Sequence, residues 1–209
     1  MKIEINIGNE HILKHFPNFE YFNCTEPERL NFFKTNNLAG DIQRCFIIWH
    51  CIQEMKRSGG IGLDIGCGQA ISPWCLGYDR YSSDLDYPHP EYGSGEYHPH
   101  LTGEGENLPF NNEIFCWIIS HHSFEHMVHP LGTFKEWLRI LKPGGALIMV
   151  MPDADYESKE YPWDKDHHIF FAPDSFKKNI LDPCKDLIKT EVFNNLHNSF
   201  SFNYVGRKR

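Results

Sequence analysis

The stretch Gly62–Ala70, GLDIGCGQA, constrains the fold of this chain more than any other. Ile61, Leu63 and Ile65 make a short apolar run that ends in a glycine-rich turn. Such a run, bounded by glycine, reads as a buried parallel strand. Gly66 and Gly68 let the backbone turn sharply and come close to a ligand with no side chain in the way. Asp64, at the strand end, offers a carboxylate to loop amides or to a cationic ligand group. In an open α/β sheet a turn of this kind holds a nucleotide-like molecule in the crevice beyond the strand ends.

Composition narrows the field. At 209 residues the chain fits one large domain with a real core. Apolar residues make up 41%, which argues against disorder. The formal net charge of −8 is the wrong sign for a protein that tracks phosphates, so no nucleic-acid partner is expected. No apolar stretch is long enough for a membrane span, and Met1–Asn6 lacks the apolar core of a signal segment. Seven cysteines without a Cys-x-x-Cys suit a reducing cytoplasm better than a disulfide framework.

The chain shows no repeat and no linker, and a single domain over 1–209 is expected. Thr25-Glu26-Pro27-Glu28 is a capping-box start for a first short helix. A longer helix follows Asp41, with Ile42, Cys45, Phe46, Trp49, Ile52 and Met55 in helical period and Gly59-Gly60 as its stop. These helices form an N-terminal extension over 1–58. The end of the run Tyr78–Asp84 reads as the second strand, after little room for a helix. The segment Tyr87–Gly105, rich in proline, glycine and histidine, supplies at most a weak strand. Ile114–Ser120 is a buried strand, Pro130–Lys142 an amphipathic helix, and Ala146–Met151 a further buried strand. Strand and helix alternate as in a parallel sheet. Leu187–Phe193 and Ser199–Val205 have no helix between them and read as a hairpin at the sheet edge.

Taken in order, these segments resemble a class I, Rossmann-like S-adenosylmethionine (SAM)-dependent methyltransferase, from about Ile61 onward. DIGCG (Asp64–Gly68) resembles the first motif of that family, and SSDLD (Ser82–Asp86) the second strand with its terminal acid. GEGENLPF (Gly103–Phe110) resembles the segment that frames adenine. IISHHSFEH (Ile118–His126) resembles the fourth strand and its turn, and FKEWLRILKPGGALIMVMPD (Phe134–Asp153) the helix, turn and fifth strand. YPWDKDHHIFF (Tyr161–Phe171) is similar to a segment of a small bacterial branch associated with glycan and surface-metabolite biosynthesis. The resemblance implies a doubly wound, mostly parallel sheet of seven strands, with the last strand antiparallel and the N-terminal helices added to it. It implies SAM as cofactor, held by Asp64, Gly66, Cys67, Gly68, Asp84, Glu104, Gly105, Glu106, Ser120 and His121. Asp84 would accept from both ribose hydroxyls and Glu104 from the adenine amino group; Glu106 matches a family position whose role is open between ligand and scaffold.

Methyl transfer is an in-line displacement at a sulfonium carbon. The protein aligns the acceptor and, for a hydroxyl, removes a proton. Histidines are the natural bases near neutral pH. His122, after the fourth strand, and His167, in a substrate-covering insertion over 152–183, are the candidate catalytic residues, with His168 as the alternative to His167. The acceptor expected is a small-molecule or glycan-type metabolite. A dehydrogenase would need a third glycine where Ile71 stands. A metal hydrolase could exploit the paired histidines, but His121-His122 and His167-His168 are adjacent in sequence and adjacent side chains point apart, so no metal site is expected. A SAM-fold protein that binds without turnover is the remaining alternative.

Overall fold

A computed structural model describes residues 39–68, 71–81, 99–156, 166–195 and 200–209. The expected first helix at Thr25, the segment Ser82–Asp86 and the aromatics Tyr161 and Trp163 lie outside the described residues. Helix α1, Ala39–Ser58, closes where the Gly59 amide reaches the Met55 carbonyl at 2.8 Å. Seven strands follow: β1 Gly62–Ile65, β2 Cys75–Asp79, β3 Leu101–Thr102, β4 Phe115–His121, β5 Leu141–Pro152, β6 Ile188–Asn195 and β7 Ser201–Lys208. They form one sheet in the order β3-β2-β1-β4-β5-β7-β6. The first five run parallel, and β7 lies antiparallel between β5 and β6. This is the doubly wound sheet expected, with β1 an inner strand between β2 and β4.

Two element ends differ from the sequence reading. The second strand ends at Asp79, not at Asp84. Strand β3 has only two residues, as the proline- and glycine-rich segment before it foretold. Helix α2, Pro130–Ile140, stops two residues short of Lys142 because Leu141 already pairs with Phe115 of β4. A last helical stretch begins with α3, Pro173–Phe176, and runs on through Cys184.

Buried parallel strands carry apolar side chains on both faces, and here alternate residues feed two cores. Trp117 and Ile119 of β4 and Ala146, Ile148 and Val150 of β5 meet Phe46, Ile47 and Cys51 of α1. Ile118, Leu147, Met149 and Met151 belong to the core that holds Phe134, Trp137 and Leu138 of α2 together with Phe176 and Ile180. The ends of the strands are thereby fixed between helical layers, and the loops beyond them define the site.

The α1 layer is tied to the last strand by charge. Glu54 is 3% exposed. It accepts from both terminal nitrogens of Arg207, at 3.0 and 2.9 Å, and Arg57 also bonds to it. Arg207 further pairs with Glu191 of β6 at 2.7 Å. Arg207→Met should destabilise the fold by about 2 kcal/mol, less than a fully broken buried pair because Arg57 still holds Glu54. Thermal unfolding should show a fall in Tm of about 4–8 °C, and an unchanged Tm would mean that the pair contributes nothing.

Candidate cofactor and acceptor site

The glycine turn is built as its sequence demands. Gly66 and Gly68 adopt φ of 69° and 55°. A Cβ on Gly66 would land 2.3 Å from the Ser123 Cβ. The Gly66 amide bonds to the Tyr78 carbonyl at 2.8 Å, which stitches the turn to the end of β2. Asp64 is buried, and its Oδ2 accepts the Ser72 amide at 2.6 Å. Burial raises its carboxyl above the ordinary range, against the opposing Arg44 charge and the Ser72 hydrogen bonds. The Cys67 thiol is pushed far up by burial, with the Asp64 and Asp79 carboxylates adding to it, so it is no nucleophile.

Sequence reasoning missed Asp79. The residue paired with Ile65 is Tyr78, so Asp79 stands level with the glycine turn. Its Oδ2 accepts the Gly68 amide at 2.9 Å and its Oδ1 the Tyr81 amide at 3.1 Å. The signal was present: the apolar run before it stops at this acid, just after Gly77. Asp84 lies outside the described residues.

The segment after β3 is held mainly by α2. Glu104 is exposed and pairs with Arg80 at 3.2 Å. The Gly105 carbonyl accepts from Trp137 Nε1 at 2.8 Å. Glu106 sits at the start of α2, where its carboxylate takes the His129 amide at 2.6 Å, a favourable place for an anion. Glu136 and Arg139 clamp the Leu-Pro-Phe stretch. Glu136 accepts the Leu108 amide at 3.1 Å, and Arg139 reaches the Phe110 carbonyl and Asn112, each at 2.8 Å.

Beyond β4 the candidate histidines converge. Ser120 Oγ and Ser123 Oγ lie 2.8 Å apart, and Ser123 donates to the Ile65 carbonyl, so this turn is anchored to the end of β1. His122 has a left-handed φ of 52°, uncommon for a residue with a side chain. Its Nδ1 lies 3.2 Å from Glu125 Oε1 and its Nε2 2.7 Å from Gln43 Oε1. Gln43, buried on α1, also reaches His121 and Ser201. His167 faces the same Glu125 oxygen at 4.0 Å, whereas His168 is exposed. Burial raises the Glu125 carboxyl, but the His122 hydrogen bond and the His122 and His126 charges outweigh it and hold the group below the ordinary range. Gln43 and Glu125 were not among the expected site residues. A polar residue inside the apolar period of α1 was the only hint of Gln43.

His121 is pushed down to about 3, first by burial, then by the charges of His122 and Arg44. An unfolded imidazole titrates near ~6.5. Between those values the unfolded chain binds a proton that the folded one refuses. Stability is therefore whole above ~6.5 and drains as pH falls toward 3. In urea titrations His121→Gln should flatten that acid slope by up to about 1 kcal/mol per pH unit. Equal slopes in both proteins would refute it.

Residues 63–149 match the methyltransferase domain family. With the seven-stranded sheet, this match gives the chain the Rossmann-like fold of the SAM-dependent methyltransferases. The chain is similar in fold to a SAM-dependent methyltransferase from Aquifex aeolicus, with a TM-score of 0.53 and 15% identity over 89% of this chain and 100% of that one. A chain from the complex of the Haloferax volcanii Trm112 methyltransferase activator with a methyltransferase gives 0.55 and 13%, over 86% of this chain and 97% of that one. An uncharacterized protein from Methanocaldococcus jannaschii is 22% identical over 138 residues, which are 65% of this chain and 66% of that protein. The match thus spans just under two thirds of that relative's length.

Proposed function

We propose that the chain transfers the SAM methyl group to a small-molecule or glycan-type acceptor, with His122 as the base on the acceptor side. The observation that carries this reading is the buried Glu125 carboxylate, which faces His122 and His167 beside the glycine turn. A carboxylate that orients an imidazole and stabilises its charged form is the arrangement a general base needs. Gln43 Oε1 here accepts from His122 Nε2–H, so that nitrogen serves as the base once the Gln43 amide is displaced and Nε2 is unprotonated toward the acceptor hydroxyl. The ribose hydroxyls fall to the acid at the end of β2, which is Asp79. Gly66, Gly68 and the Ser120–His121 strand end complete the cofactor side, with Glu104 and Gly105 toward the adenine.

The insertion 152–183 supports the acceptor assignment. The His168 and Ile169 amides bond to the Glu125 carbonyl at 2.9 and 3.1 Å, and Phe171 stacks on Phe124. The part of the insertion that carries His167 is thus pinned over the turn after β4. Among the described residues five cysteines are buried and free. No helix among the described residues is long and apolar enough to cross a membrane.

Purified protein incubated with methyl-labelled SAM and fractionated metabolite extracts tests the reading. Label should move to a small acceptor, and the transfer should depend on His122. A chain that binds SAM yet forms no product with any fraction would instead be a binding protein.

A further inference from the structure

The geometry points to a divalent metal site formed by Glu125, His126 and His167. One potential ligand atom from each lies within 4.8 Å of the others. Around a bound zinc-like ion, ligand atoms at ~2.0–2.1 Å stand roughly 3.3 Å apart, so the three close in by up to about 1.5 Å. The backbone that carries them is already fixed. Glu125 and His126 share the short turn Phe124–His126, and the Glu125 carbonyl binds the two amides that follow His167.

The hydrogen bonds prepare Glu125 and His126 for a metal. The Glu125 residue is 4% exposed, and its Oε2 has no hydrogen-bond partner among the described residues. A buried carboxylate oxygen without a donor is costly, and a cation at that atom would remove the cost. Its other oxygen, Oε1, is oriented by His122. His126 Nδ1 faces the Asp166 carbonyl at 3.1 Å. A carbonyl only accepts, so Nδ1 carries the proton and Nε2 keeps the lone pair that a metal takes. An outer carbonyl or carboxylate that sets the tautomer in this way is the usual companion of a metal-bound histidine. The rings of His126 and His167 meet edge to face, with centroids 4.8 Å apart.

Two imidazoles and one carboxylate suit a borderline ion such as zinc, manganese, cobalt or iron, and poorly suit calcium or magnesium. Three protein ligands leave positions open. An acceptor oxygen taking one of them would be held and made more acidic. The site therefore favours an acceptor with a hydroxyl or carboxylate group. Only this use of the ion rests on the methyl-transfer reading; its binding does not.

The test uses metal-stripped full-length protein titrated with Co²⁺ alone, followed by its visible ligand-field bands and by equilibrium dialysis. One ion per chain is expected. His126→Ala and His167→Ala should each weaken binding by at least the ~10–100-fold that loss of even an outer partner costs, while the exposed His168→Ala should change nothing. Glu125→Gln should do the same if it folds; His126, half-buried on the turn, keeps the test valid if it does not. Circular dichroism and SAM affinity are measured on every variant. No stoichiometric Co²⁺ binding, or bands unmoved in His126→Ala and His167→Ala, would overturn the site. SAM binding without Co²⁺ binding would remove the metal and leave the methyltransferase reading standing, and Co²⁺ binding without SAM binding would do the reverse.

Discussion

Asp79→Ala should weaken SAM binding by roughly 10–100-fold, the worth of losing hydrogen bonds to a charged group. The carboxylate accepts one backbone amide on each oxygen, from Gly68 and from Tyr81. As the acid at the end of β2, level with the glycine turn, it would also accept from the two ribose hydroxyls. Removing the side chain costs those contacts and also frees the Gly68 amide from its anchor. Asp79→Asn keeps the shape, loses the charge and should fall between wild type and alanine. Calorimetry on these variants beside Asp84→Ala decides the assignment. Wild-type affinity in Asp79→Ala with a loss in Asp84→Ala would move the ribose contact to the later acid.

The second large effect concerns turnover. His122→Asn should reduce methyl transfer by about 100-fold or more, as expected for loss of a general base, with SAM affinity nearly intact. Asparagine is the informative replacement because it tolerates the left-handed backbone that His122 adopts. It removes the imidazole and leaves the turn in place. Steady-state rates with the identified acceptor provide the measurement. Normal turnover in His122→Asn would assign catalysis to alignment alone and leave the histidine a packing role between Gln43, Glu125 and Phe200.

Much of the scaffold was legible because strand burial and glycine placement are local properties. Ile61–Ile65, Ile114–Ser120 and Ala146–Met151 announce themselves as apolar runs, and each lies in a strand of the parallel sheet. The end of β2 was misread because Tyr81, Ser82 and Ser83 continue the polar-apolar texture past Asp79. Only pairing with Ile65 and the glycine turn shows where the strand stops. Gln43 and Glu125 were hidden for a different reason. Their roles depend on partners far along the chain, such as Ser201 for Gln43 and His167 for Glu125. The three-residue cluster around Glu125 has no short-range spacing motif, since His167 arrives from beyond β5. Glu106 shows the converse: its family position was visible, but its bond to the start of α2 appears only in three dimensions.

The place of β7 has a consequence for synthesis. A ribosome delivers β6 before β7, yet β7 is the strand that β6 pairs with, and it also completes the edge of β5. Until β7 has emerged, both neighbours expose unpaired backbone, the kind of edge that recruits other chains. The same late strand brings Ser201 to Gln43 and Arg207 to Glu54, so α1 is seated by residues made long after it. Chains interrupted before Ser201 should therefore be aggregation-prone, and the nascent protein should depend on holding factors until β7 clears the tunnel.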